Sequence, residues 1–140
     1  MFICQSFYVF PLESSIHSLN MFVQKTGRVL VRDLNQVIRS LKSAKHLDPL
    51  HALFVLRCCG SQFVDTPKVQ RQEYVESWWK TMQDMQVPLD ISHYNTLMRV
   101  HMDNDKEFSP TDFLSEIASK GLEANRITYQ QIIAKYCQVF

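Results

Sequence analysis

Asp90-Ile91-Ser92-His93-Tyr94-Asn95-Thr96-Leu97-Met98 recurs, without a gap, as Asn125-Arg126-Ile127-Thr128-Tyr129-Gln130-Gln131-Ile132-Ile133, a lag of 35 residues. Upstream of each copy, Trp78, Trp79, Met82 and Val87 stand opposite Phe113, Leu114, Ile117 and Leu122. A fixed lag of this size is the signature of a helical repeat array, in which each unit leaves an apolar edge that only its neighbour can cover. Such arrays offer a concave surface to an elongated ligand, so architecture bears directly on function.

The rest of the chain supports this reading. From about Ser14 the apolar period is helical: Ile16, Leu19, Met21, Phe22 and Val23 form a short helix that Gly27 ends. Leu34, Val37, Ile38 and Leu41 follow the i, i+3, i+4, i+7 stripe of an amphipathic helix closing near Lys45. Asp48-Pro49 opens the next helix, because Asp accepts free amide hydrogens and Pro at the first helical position loses no bond. That helix stops at Gly60, and Ser61 to Asp65 form a loop. Asp65-Thr66-Pro67 opens a longer helix through Trp78, Trp79 and Met82. A further helix runs from about Ser92 to Met102 and is followed by a polar turn. Ser109-Pro110-Thr111-Asp112 starts another that Gly121 ends, and Arg126 to about Gln138 form the last. The expectation is an all-α, helix-turn-helix repeat solenoid of about seven helices in antiparallel pairs.

Four segments follow: an atypical apolar leader over 1–14, irregular helical pairs over 15–89, one complete repeat over 91–125, and the first helix of a next repeat over 126–140. The partner of that last helix is missing, which points to a short, truncated array. The leader, with no Lys or Arg before Lys25, reads as half strand and half disordered. It lacks the basic residues of a signal or transit peptide and is too short to span a bilayer.

At 140 residues the chain makes about one domain, and its 46% hydrophobic share with three Gly and five Pro is that of a globular protein. A formal charge of +1 carries no global signature of nucleic-acid binding, since phosphate binders draw much of their affinity from counterion release. Cys4, Cys58-Cys59 and Cys137 include no Cys-x-x-Cys, so the adjacent pair reads as buried small hydrophobes. Asp103, Asp105 and Glu107 alternate like the start of a calcium loop but lack its Gly and distal Glu. Trp78 and Trp79, at helical spacing with Val75 and Met82, read as core or repeat interface. No nucleophile is placed with a base and an orienting acid, and no Gly-rich phosphate loop occurs. The expectation is a protein without enzymatic activity, metal, cofactor, small-molecule substrate or membrane contact.

The unit from Ile91 to Asn125 resembles a pentatricopeptide repeat, through its opening Ile91-Ser92-His93-Tyr94-Asn95-Thr96-Leu97-Met98 and its closing Lys120-Gly121-Leu122-Glu123-Ala124-Asn125. Lys25-Thr26-Gly27-Arg28, His51-Ala52-Leu53, Leu56-Arg57-Cys58-Cys59-Gly60-Ser61 and Phe108-Ser109-Pro110-Thr111-Asp112-Phe113-Leu114 are similar to the N-terminal repeats of the family's long leucine-rich members in animal mitochondria, over about residues 16–138. The resemblance implies a helical-repeat RNA-binding protein of the mitochondrion, and also of the nucleus. It further implies a post-transcriptional role in mRNA stability, polyadenylation and translation, together with a small RNA-recognition-motif protein partner.

Repeats of this class read one base with two or three side chains per repeat. By position, the resemblance makes Asn95 and Asn125 the base-reading pair, with Gln130 at the reading position of the next unit. Carboxamides offer both donor and acceptor to a base edge, and in the family an Asn–Asn pair leans toward pyrimidines. Ser92 and Ile127 would hold the base between them, and Lys120, Arg126 and Lys135 would contact phosphates of a single-stranded mRNA. The preceding unit closes on Asp90, but its first helix, about 49–59, is out of register because the Ser61–Asp65 loop is long, leaving at most one complete reading site. A second reading stays open: a protein–protein scaffold of helical repeats with no direct RNA contact, in which Asn95 is a solvated groove residue and Asn125 a turn residue.

Overall fold

A computed structural model describes residues 2–137 of the chain, with side chains described from Ser14 onward. Seven helices follow one another among these residues: α1 (Phe2–Thr26), α2 (Val31–Lys42), α3 (Pro49–Cys58), α4 (Lys68–Asp84), α5 (Ile91–Asp103), α6 (Pro110–Ser119) and α7 (Arg126–Cys137). The all-α expectation holds. None of these helices is long and apolar enough to cross a membrane.

Local chemistry sets most of the boundaries. Asp48 accepts from the Leu50 amide at 2.8 Å with Pro49 in the first turn, and Ser109 Oγ accepts from the Asp112 amide at 3.4 Å with Pro110 in the first turn. α6 ends at Gly121, whose φ of +74° a side chain would strain. α4 opens at Asp65-Thr66-Pro67 as expected, with Pro67 at its N-cap in extended backbone (ψ 149°), and Asp65 pairs with Arg28 at 2.6 Å. One element differs from expectation. The backbone of the leader is helical from Phe2, continuous with α1, and not half strand and half disordered. Its Phe, Ile, Tyr and Val favour a strand locally, but a strand needs a partner for its amides, and no strand occurs among the described residues. Met1, Gln138, Val139 and Phe140 lie outside the described residues.

The helices stack as a solenoid. α5 packs against α3 on one side and α7 on the other, with α4 behind α3 and α5, while α1 pairs with α2 and α2 meets α3. One continuous core runs through the stack, from Leu19 and Val23 past Leu34, Leu56, Trp78 and Met98 to Phe113 and Ile117. Trp78 is a core residue, as its spacing indicates: its ring is 1% exposed and Nε1 donates to the Ala52 carbonyl at 3.0 Å. Trp79 meets Tyr94 edge-on at 5.2 Å. Cys58 and Cys59 are buried hydrophobes. Burial raises the Cys58 thiol to about 12 against the opposing charge of Arg57, and burial followed by the neighbouring Cys58 pushes Cys59 further up.

Inter-repeat turns are stitched to one another. The Val29 amide donates to the Gln62 carbonyl at 2.8 Å, and the buried Asn104 donates through Nδ2 to the Cys59 carbonyl at 3.2 Å. The acids of the 103–107 turn each take a separate partner: Asp103 accepts from the Ser61 amide, Asp105 pairs with Lys68 and Glu107 with Lys135. Gly60 permits this closeness, since a Cβ there would lie 2.8 Å from Asp103 Oδ2 and 3.1 Å from Val100 Cγ1. The residues that put the 49–59 helix out of register in the sequence are absorbed between α3 and α5, so α3 still stands beside α5.

Candidate nucleic-acid interface

The N-terminus of α5 begins with Asp90, whose side chain accepts from the Ser92 and His93 amides at 2.9 and 3.3 Å. Its carboxyl is partly desolvated, which works against ionisation, but the hydrogen bonds and charge of His93 with the Ser92 amide outweigh this and hold it below the usual range. His93, 2% exposed, sets its Nδ1 2.9 Å from Asp90 Oδ1 and reaches α3, its Nε2 lying 3.0 Å from the Pro49 carbonyl oxygen. A carbonyl only accepts, so Nε2 donates to it. This bond ties the first turn of α5 to the start of α3.

Asn95 is 6% exposed, on the side of α5 that meets α7. Its Nδ2 donates to Asn125 Oδ1 at 3.1 Å. Thr128, in the first turn of α7 and fully buried, ties both carboxamides: its hydroxyl donates to Asn95 Oδ1 at 2.7 Å and its amide to Asn125 Oδ1 at 3.1 Å, while the Asn125 amide donates to the hydroxyl at 3.0 Å. The two Asn orientations are thereby determined. The Thr128 amide can only donate, so Asn125 must present its oxygen to it, and Asn95 must then offer nitrogen to the same oxygen. Asn125 Oδ1 accepts from both Asn95 and Thr128 inside the protein, while Asn95 Oδ1 accepts once and keeps a second lone pair. Asn125 is exposed and its Nδ2 makes no hydrogen bond among the described residues, so the pair keeps a free donor.

A groove of about 420 Å³ opens beside Asn95, lined on α3, α5 and α7 by Arg57, Ser92, Arg99, Ile127 and Gln131. Asn95, Ser92 and Ile127 are therefore brought together at one place, with Asn125 bonded to its floor. Gln130 is exposed and does not line this groove; Gln131 does. Of the three lysines and arginines expected at phosphates, none lines it. Lys120 follows α6 and Arg126 begins α7, both exposed. Lys135 is paired with Glu107 at 3.0 Å, lies 5.2 Å from the centre of the Phe108 ring, and borders a separate hollow.

Arg57, Arg99 and Thr128 are the residues that sequence reasoning passed over. A signal was present: Asp48 and Asp90 cap equivalent first helices, and each is followed nine residues later by Arg. By the same offset Leu53 takes the place of Asn95 in the α3 unit, and it is buried and apolar. Of the α3 and α5 units, only that of α5 has a polar side chain at this position.

No protein-family model matches the chain. It is 38% identical to the Leucine-rich PPR motif-containing protein, mitochondrial, of Mus musculus over 121 residues, 86% of this chain and 9% of that protein. The proteins of the same name in Rattus norvegicus and Xenopus tropicalis are 36% and 32% identical, over 86% and 88% of the chain and 9% of their own length. The chain thus spans about 9% of the length of the curated relatives it matches. The resemblance read from its residues is matched by these relatives, and its fold is the helical repeat of the pentatricopeptide type.

Proposed function

We propose that this pentatricopeptide-type chain, similar to mitochondrial leucine-rich PPR motif-containing proteins, contributes a single base-reading position to the binding of single-stranded mRNA in mitochondria. It does so without catalysis, as part of a machinery for mRNA stability, polyadenylation and translation that includes a small RNA-recognition-motif protein. The observation that carries the reading is the Asn95–Asn125 bond, 3.1 Å, at a groove flanked by Ser92 and Ile127. The free donor on Asn125 and the remaining lone pair on Asn95 can meet a base edge. Cytosine N3 and O2, or uracil O2 and O4, accept from such a donor, and the preference for a pyrimidine over a purine is what the resemblance to the family implies.

The test is fluorescence anisotropy of the full chain with labelled oligouridylate, oligocytidylate and oligoadenylate over a series of salt concentrations. Salt-dependent binding that favours the pyrimidines, and a preference that Asn125→Ala erases, is the expected result. Absence of binding to every oligomer would sink the reading. That outcome would favour a protein-docking scaffold, for which the exposed Tyr129, Ile133 and Tyr136 of α7 and the net charge of +1 speak.

A further inference from the structure

We infer that Arg57 and Arg99 form a two-step phosphate ladder along the groove, and that Asp103 sets its strength. The inference rests on the groove being an RNA site and adds what holds the strand there. One base contact cannot retain a strand when nothing neutralises the adjoining phosphates, and the lysines and arginines expected from the repeat pattern lie elsewhere.

Both arginines occupy the same helical position, nine residues after the Asp that caps their helix. α3 and α5 are packed neighbours, so equivalence in sequence becomes adjacency along one wall of the groove. A strand whose base sits at Asn95 would run its backbone past Arg99 and then Arg57, one guanidinium for each helix crossed. Planar guanidinium donors match phosphate oxygens and stay charged at every physiological pH.

The two steps differ in electrostatic freedom. Arg57 makes no ion pair among the described residues. Arg99 is 62% exposed at its side chain and lies 3.6 Å from Asp103 Oδ1, while the other carboxylate oxygen of Asp103 accepts from the Ser61 amide at 3.3 Å. Asp103 also lines the groove. It therefore partly neutralises one step of the ladder and repels an incoming phosphate, which limits affinity without touching the base.

The experiment uses the full chain and labelled oligouridylate, oligocytidylate and oligoadenylate, with Arg57→Gln, Arg99→Gln, Asp103→Asn and Asn125→Ala. Two phosphate contacts to a single strand correspond to about a seven-fold loss of affinity between roughly 50 and 200 mM salt, and one contact to about a 2.6-fold loss. Each Gln variant is expected to move the protein from the first value to the second and to weaken all oligomers by one common factor. Asp103→Asn is expected to tighten binding severalfold at the lower salt, a gain that a misfolded protein does not produce. If the wild type binds and Asn125→Ala changes base preference while the Gln variants keep the wild-type salt dependence, the ladder is wrong and the reading site stands. Unchanged or weaker binding by Asp103→Asn overturns the role given to that carboxylate. No binding by the wild type removes both.

Discussion

The Thr128 hydroxyl donates to Asn95 Oδ1 at 2.7 Å across the α5–α7 contact, buried from solvent. One side chain of the second repeat thus orients the candidate base reader of the first, and the closing residue Asn125 is held by the same threonine. Base reading as proposed would therefore belong to two adjoining repeats and not to one helix. Thr128→Val keeps the shape and removes the hydroxyl, leaving a buried amide oxygen without its donor. A loss of about 1–3 kcal/mol in urea unfolding is expected, together with weakened discrimination between oligocytidylate and oligoadenylate. Unaltered stability and base preference would refute the orienting role.

Gly60 is constrained by space, and its φ is ordinary. Gly60→Ala places a methyl 2.8 Å from Asp103 Oδ2 and 3.1 Å from Val100 Cγ1, so α3 and α5 must part or Asp103 must swing away. Overpacking of this kind costs roughly 1–3 kcal/mol. A lowered urea midpoint for Gly60→Ala, partly restored by Asp103→Ala, is the expected pattern. Restoration absent, the clash lies with Val100.

His101 makes stability pH-dependent. Burial lowers its basicity from 6.5 to about 4, with Lys106 acting in the same direction and Glu76 against it. Between those values the unfolded chain binds a proton that the folded chain refuses, so stability is full above about pH 6.5 and falls as pH drops toward 4. The change amounts to about 2–3 kcal/mol after allowing for its partial exposure. The depressed Asp90 carboxyl adds a separate loss, which begins only as the pH falls below the ordinary Asp range. Melting temperatures measured from pH 7 to 4 are expected to decline, and His101→Gln is expected to flatten the upper part of that decline.

Trp78→Phe keeps an aromatic ring in the core but loses the Nε1 bond to the Ala52 carbonyl and leaves a small void. A destabilisation of about 1–3 kcal/mol is expected from the lost bond and volume together. Since Trp78 joins α4 to α3 and does not line the groove at Asn95, the base preference should persist at temperatures where the variant is folded. A selective loss of base preference with full stability would place Trp78 in the reading site instead.

Helix starts and stops were legible wherever they depend on residues within one turn of each other. Asp48-Pro49, Ser109-Pro110 and Gly121 set their boundaries from the local backbone, as their chemistry requires. Asp65-Thr66-Pro67 opens α4 as read, but the pairing of Asp65 with Arg28, 37 residues away, leaves no local signal. The candidate site divides in the same way. Asn95, Asn125, Ser92 and Ile127 follow from the repeat register, whereas Lys135 belongs to Glu107 and Phe108, and Arg57 and Arg99 enter the groove only because α3 stacks on α5.

The 35-residue lag and the apolar period by themselves determined an all-α repeat, because both arise from short-range backbone preference and from the need of each unit to cover an edge. Only the tertiary structure decided which groups of the Asn pair stay unbonded and which cations stand beside it. Hydrogen-bond partners 30 and 33 residues apart choose the orientation of Asn95, and helix stacking chooses its neighbours.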